Sequence, residues 1–426
     1  MYKPQKAVLQ NGLTVVTIEL PHLHRATVVV YARVGARYET PQTSGLSHFT
    51  EHMLFRGTRR HPDAFQLSDA IERAGGTLYA ETGIDYSLYQ LSLHPDMVSE
   101  AVTLLGEVFG EPRFTDLEVE RRIVLEEILE SLDQHGRETN VDTLARRALF
   151  PAHPLGYAIT GPPRNVRRFR LGDVRRHFAR FYGASNLVLC LSGAIRHRQA
   201  LAWANRAFGK LPGGRRAGTT PPPDGQRGPR MTYLRSPGSQ TAVQVLFRGL
   251  AETDPDWTAL VLLCRTLDDG LSARLHHRIC DQLGLAYQTS ASLEPFVDTG
   301  LFEVNAQAAH HNAPALLREM LRLIAEFRDH AVSADELEKV KDRYRWDLEA
   351  SFDDPDAMAG WFGGSELFVP APTFEQKVRE VAAVRPADLM RVASGVLRPD
   401  RLVVAGVGEL SSQQQRRVRK LVMDYQ

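Results

Sequence analysis

Nothing in this 426-residue sequence is apolar for long enough to cross a bilayer as a helix. No charge of one sign is in excess either: 52 Lys and Arg stand against 51 Asp and Glu, a net charge of +1. That balance points away from nucleic acid and from an acidic membrane surface as partners. Cysteine is scarce. Cys190, Cys264 and Cys280 lie far apart with no CxxC pair. This argues against a disulfide scaffold and a cysteine-built zinc site, and suits a reducing compartment. The opening residues, MYKPQKAVLQNGLTVVTI, lack the ordered basic start, apolar block and cleavage site of a secretory signal. The expectation is a cytoplasmic protein.

What is there is a globular composition, 43% hydrophobic and 24% charged, in a chain long enough for two or three domains. The segment LPGGRRAGTTPPPDGQRGPR is rich in Gly, Pro and Arg and has little apolar content to give a core. It separates two halves of similar layout. Asp173 in GDVRRHFARFYG matches Asp388 in ADLMRVASGVL, and NLVLCLSG matches RLVVAGVG, both at an offset of 215. Each half opens with an alternating strand, ATVVVYARVG and TAVQVLFRGL, and goes on to helix-period segments. The fold class read from this is α+β, built as a duplication. Its domains are 1–212, a linker at 213–230, and 231–426.

One helix in the first half invites chemistry. In TSGLSHFTEHMLFRG, Thr43 or Ser44 can cap the start and Gly57 can end the helix in the left-handed conformation. Leu46, Phe49 and Met53 form the buried stripe. His48 and His52 fall within about 40° of each other, one turn apart, so both imidazoles can reach one metal ion. Glu51 lies about 60° to the other side of His48. There it can take a proton from water. A third donor is sought on TDLEVERRIVLEEILESLDQ, whose apolar face is Leu117, Val124 and Ile128. Glu126 points away from that face. Glu120 and Glu127 both flank it, either as edge-of-stripe surface charges or as buried carboxylates needing a partner.

These residues resemble a known family. HFTEH is the inverted zinc motif HxxEH. A glutamate about 75 residues later completes the pattern of the pitrilysin-like (M16) peptidases, and here 74 residues separate His52 from Glu127. NGLTVV, VGARYE, HPLGYAITG and GLAY follow in family order. The chain resembles the short M16B type, as in the beta subunit of mitochondrial processing peptidase. The resemblance implies two homologous α/β-sandwich domains of the LuxS/metallohydrolase-like kind, assembled as a clamshell-type dimer. It implies one Zn²⁺ per chain, bound by His48, His52 and Glu127 in the first domain. Glu51 would be the general base, and Glu120 would orient a ligand from behind. The reaction would be peptide-bond hydrolysis. The substrate would add as a strand along Leu78, Tyr79, Ala80 and Glu81, although the family usually has Asn where Tyr79 stands.

The second half departs from that equipment. ALVLLCRTLDDG stands where HFTEH would be, and Arg345 falls opposite Glu127. Self-sufficient family members place an arginine seven residues before a tyrosine that contacts substrate. Here Tyr287 is present, Cys280 takes the arginine position, and Arg278 is about 200° around a helix from it. The expected protein is therefore the zinc-bearing subunit of a heterodimer whose partner supplies the arginine–tyrosine pair, with a homodimer as the competing assembly. A non-catalytic core or scaffold subunit is the alternative function.

Overall fold

The computed structural model describes residues 3–426. In the first half, β1 (Gln5–Val8), β2 (Thr14–Glu19), β3 (Ala26–Ala32), β4 (Thr77–Thr82), β5 (Ser87–Leu93) and β6 (Leu187–Gly193) form one sheet in the order β1-β2-β6-β3-β5-β4. In the second half, β7 (Arg230–Arg235), β8 (Gln240–Gly249), β9 (Thr289–Pro295), β10 (Gly300–Ala309) and β11 (Leu402–Gly408) pair as β7-β11-β8-β10-β9. The helices that matter below are, in chain order, α1 (Leu46–Leu54), α2 (Val98–Gly110), α3 (Leu117–Glu130), α4 (Val141–Leu149), α5 (Leu171–Phe181), α6 (Trp257–Leu267), α7 (Ala313–Asp329), α8 (Ala334–Ala350) and α9 (Pro386–Val396).

Sequence pattern explains the sheet positions. ATVVVYA and LVLCLSG are buried at every residue, as central strands covered on both faces must be. TLYAET keeps its first five side chains at least partly open because β4 is an edge, and only Thr82 is buried. Over β5, α2 buries Phe109, whose ring meets Tyr89 edge-on at 5.1 Å. Among the described residues, no helix is long and apolar enough to cross a membrane.

The duplication is topological. Parallel β2–β6 corresponds to parallel β7–β11, and the antiparallel run β6-β3-β5-β4 corresponds to β11-β8-β10-β9. The matched aspartates do the same job in each copy. Asp173 accepts from the Arg170 N–H at 2.8 Å at the start of α5, and Asp388 accepts from the Arg385 N–H at 2.9 Å at the start of α9.

The division of the chain differs from the one read at the linker. One compact unit holds residues up to Glu130, Tyr157–Thr220 and Leu348–Thr373; the other holds Ser131–Gly156, Pro221–Asp347 and Phe374–Gln426. The reason is burial. α4 buries Ala145 and Leu149 within the second unit, and the Arg230 guanidinium donates to the Ala148 carbonyl at 2.8 Å. In return, Met358, Ala359 and Phe362 cover the apolar face of β2, β3 and β6. Asp356 accepts there from Ser92 at 3.0 Å and pairs with Arg25 at 2.7 Å. Each unit is completed by a segment from the other half.

Candidate metal centre

The helix α1 begins differently from the sequence expectation. Neither Thr43 nor Ser44 caps it; Gly45 stands at the cap with φ 93° and no side-chain bond. A Cβ at Gly45 would lie 2.4 Å from the Thr160 carbonyl oxygen, so only glycine fits. The capping is done from a distance. Buried Glu39 accepts from the Gly45 N–H at 2.8 Å and the Ser47 N–H at 2.7 Å. A carboxylate there also meets the positive end of the helix. Burial pushes its pKa up to about 8 against those two donors. The helix stops at Leu54, and Gly57, with φ 122°, turns the chain beyond it. Leu46, Phe49 and Met53 are buried as the wheel required. On the same helix, Ser47 Oγ lies 3.3 Å from His177 Nε2 of α5. Burial, with Arg180 nearby, lowers the His177 pKa to about 3, so the ring is neutral.

The donors meet between α1 and α3. His48 Nε2 lies 3.3 Å from Glu127 Oε1, and His52 Nε2 lies 3.5 Å from Glu127 Oε2. The three ligand atoms fall within 4.8 Å of one another, the only such group of three among the described residues. Two donors held tetrahedrally at about 2.0–2.1 Å from a zinc ion stand about 3.3–3.4 Å apart. The two spacings lie within about 0.2 Å of that edge. Glu127 Oε2 is buried and has no hydrogen-bond partner, so the protein alone leaves that oxygen of the cluster unsatisfied. These residues fit a divalent cation. Burial raises the Glu127 pKa, but His48 and His52 outweigh it and hold the group down to about 2. That keeps it an anionic donor.

Glu120 sits behind His52. It is 5% exposed and takes His52 Nδ1 at 2.7 Å, which turns Nε2 toward Glu127. Its other oxygen faces Arg56 at 3.4 Å. Burial lowers the His52 pKa, yet Glu120 and Glu127 raise it on balance to about 9. Glu51 is 8% exposed and accepts a hydrogen bond from Thr82 at the end of β4. Ser87 Oγ donates to Thr82 Oγ1 at 3.3 Å, extending the chain of hydroxyls. Burial raises the Glu51 pKa, with Thr82, His48 and His52 opposing. Thr82, Glu39 and Arg56 escaped sequence reasoning. Each acts across a fold contact 31, 6 or 64 positions from its partner, counting Thr82 to Glu51, Glu39 to Gly45 and Arg56 to Glu120. Only the TLYAET alternation, which puts Thr82 on the inner row, hinted at any of them.

The strand residues Leu78, Tyr79, Ala80 and Glu81 lie on β4, at the sheet edge. In the second unit, Tyr287 is 92% exposed and borders a cavity of about 450 Å³ with Thr289, Ser290, Asn305 and Gln307. Cys280 packs partly buried against the core. Arg278 binds Glu319 of α7 at 3.1 Å and Gln282 at 2.9 Å, so it is committed elsewhere. At the place of α1, α6 buries Leu260, Leu263 and Cys264, and Arg345 of α8 pairs with Asp342 at 3.6 Å.

A repeated α/β unit with an HxxEH helix in one copy is a peptidase-type layout, and the comparisons agree. Residues 14–163 match the model described as insulinase (peptidase family M16), and residues 168–344 match the peptidase M16 inactive domain. An uncharacterized zinc protease of Streptomyces coelicolor is 30% identical over 437 residues, covering 98% of this chain and 92% of its own. An uncharacterized zinc protease of Rickettsia bellii is 27% identical, covering 80% and 82%. In fold, the chain resembles a protease from Helicobacter pylori with TM-score 0.89 at 20% identity, covering 96% of this chain and all of that one. The chain belongs to the M16 peptidase family.

Proposed function

We propose that this chain is a zinc-dependent metalloendopeptidase that hydrolyses peptides or leader segments in the cytoplasm, as the zinc-bearing subunit of a heterodimer. The observation that carries the reading is the meeting of His48, His52 and Glu127 with a buried glutamate, Glu51, on the same helix. One ion per chain is held by those three residues. When bound, zinc supplies Lewis-acid polarisation of the scissile carbonyl and makes a water nucleophile available at neutral pH.

The chain's own residues do the rest. Glu120 fixes the His52 ring through Nδ1, so Nε2 remains the donor. Glu51 takes a proton from the attacking water as its oxygen bonds to the carbonyl carbon. As the C–N bond breaks, Glu51 returns that proton to the leaving amine. Thr82 holds the Glu51 carboxylate through Oε2, leaving Oε1 to receive the proton. The peptide lies as an added strand along Leu78 to Glu81 of β4. Tyr287, exposed on the second unit, contacts substrate. With Cys280 at the arginine position, the complete arginine–tyrosine pair comes from the partner, and losing one such donor typically lowers turnover about 10²–10³-fold.

The test is cleavage of a quenched fluorescent peptide by the purified chain with zinc, with Glu51→Gln as control. Cleavage that Glu51→Gln abolishes supports the peptidase. Full activity of the chain as a homodimer overturns the heterodimer. A non-catalytic core or scaffold subunit is the second reading, favoured by Cys280 and by the inactive-domain match of residues 168–344. Zinc-loaded chain that cleaves nothing, even with a partner carrying the arginine, would establish it.

A further inference from the structure

The edge strand β4 carries two rows of side chains. Thr82 belongs to the row directed at α1, where it meets Glu51. Tyr79 and Glu81 belong to the opposite row, beside Gln90 and Leu88 of β5, neither of which is charged. Tyr79 is 52% exposed, and its hydroxyl donates to Glu81 Oε2 at 2.7 Å. Among the described residues, Glu81 has no cation within ion-pair distance, so its charge is pinned in place but not neutralised.

We propose that Tyr79 and Glu81 select a cationic side chain, lysine or arginine, in the peptide that pairs with β4. The proposal rests on the peptidase reading for its ligand and adds the substrate's charge. A strand laid on the free edge continues the pleat, so one of its residues projects on the Tyr79–Glu81 face. Directly opposed side chains in antiparallel strands have Cβ atoms about 4.5–5.5 Å apart, well within the reach of lysine or arginine. The carboxylate then meets the cation. The tyrosine ring offers its face to it, and the stem of the long side chain covers the ring. An asparagine at position 79 would supply no ring. A charged edge can also serve only to keep other sheets from pairing with it, and the experiment separates the two roles.

The full-length Glu51→Gln chain, loaded with zinc, binds fluorescent peptides in an anisotropy titration without consuming them. Each peptide carries Lys, Gln or Glu at one scanned position. At one register the Lys peptide should bind about three- to tenfold more tightly than the Gln peptide. Adding Glu81→Gln should erase that preference, Glu81→Lys should turn it toward Glu, and Tyr79→Phe should weaken it. Equal binding of all three peptides at every position, no binding, or a Lys preference that survives Glu81→Lys overturns the proposal. Hydrolysis by the unmodified chain reads the peptidase assignment separately. Cleavage without charge preference sinks this inference alone, and charge-selective binding without cleavage, even with a partner that carries the arginine, sinks the assignment alone.

Discussion

Two helices occupy matching places in the two units and carry opposite contents. α1 places His48, Glu51 and His52 against α3, and two of these are only 8% exposed. α6 fills the corresponding position with Leu260, Leu263 and Cys264. The sheets beside them repeat over five strands, with β1 the extra one in the first, and include the parallel β2–β6 and β7–β11 pairs. Architecture and chemistry are therefore separable here. The shared strand pairing and apolar faces hold both units together, while the polar cluster of the first unit is an added burden. Buried imidazole and carboxylate must find partners or a cation. The second unit shows what the same scaffold does without that burden.

The largest break in the comparison comes from making α1 more like α6. His48→Ala and Glu127→Ala should each remove tightly bound zinc, read by metal analysis after dialysis, while far-ultraviolet circular dichroism stays native. Peptide hydrolysis should vanish with the metal. Glu51→Gln should keep the zinc and still lower kcat, by about 10²–10⁴-fold if general-base catalysis is its role. Zinc retained by Glu127→Ala would show that the third donor is another group.

A smaller effect is expected at Thr82, which ties the edge strand to α1. Thr82→Val keeps the shape and deletes the hydroxyl. It should lower kcat about tenfold, the value of one hydrogen bond to a charged group. Zinc content should be unchanged, and Thr82→Ser should recover most of the rate. Equal loss in the Ser and Val variants would mean that packing, not the hydroxyl, is at stake.

Much of this was legible in the chain. The duplication showed in the 215-residue offset because equivalent caps and strands keep their residue types. Asp173 and Asp388 each bond the N–H of the residue three before them. HFTEH and Glu127 showed because motif spacing records which helix faces meet. Other features depend on contacts that no local pattern encodes. The exchange of 131–156 and 348–373 between the units was invisible, since Ala145 or Met358 reads as apolar whichever sheet it covers. Glu39 was missed because Thr43 and Ser44 sit where a cap is normally sought, and the structure caps α1 from six residues upstream of Gly45.

That distant cap has a pH signature opposite in sign to that of α9, whose capping Asp388 is held below the usual carboxylate range by the Arg385 N–H. Burial pushes Glu39 up to about 8 from its ordinary 4.5. The folded chain thus holds a proton that the unfolded chain releases. Its contribution to stability is complete below the unfolded pKa and is lost as pH rises through the folded one. The Tm of the native chain should fall relative to Glu39→Gln between about pH 4.5 and 8, because Gln stays neutral throughout. A native Tm that rises relative to Glu39→Gln over that range would show that the two N–H donors win and that Glu39 caps as an anion.

The finest comparison sets the matched caps against each other. Asp173→Ala and Asp388→Ala each delete one bond, from the Arg170 N–H at 2.8 Å and the Arg385 N–H at 2.9 Å. Each aspartate also holds an arginine one turn on, Arg176 and Arg391 respectively, but such exposed pairs add little. Each loss should cost about 1 kcal/mol, or about 2–4 °C in the melting of a unit this size. The two losses are chemically alike, so any inequality reports on the units. If both variants lower a single transition equally, the units unfold together. Should Asp173→Ala shift one transition and Asp388→Ala another, the units unfold separately. Calorimetry of the two variants and the double mutant decides, since additive shifts are expected only when the caps act independently. A shift confined to Asp173→Ala would mean that the unit carrying the polar cluster is the weaker of the two, as its buried charges imply.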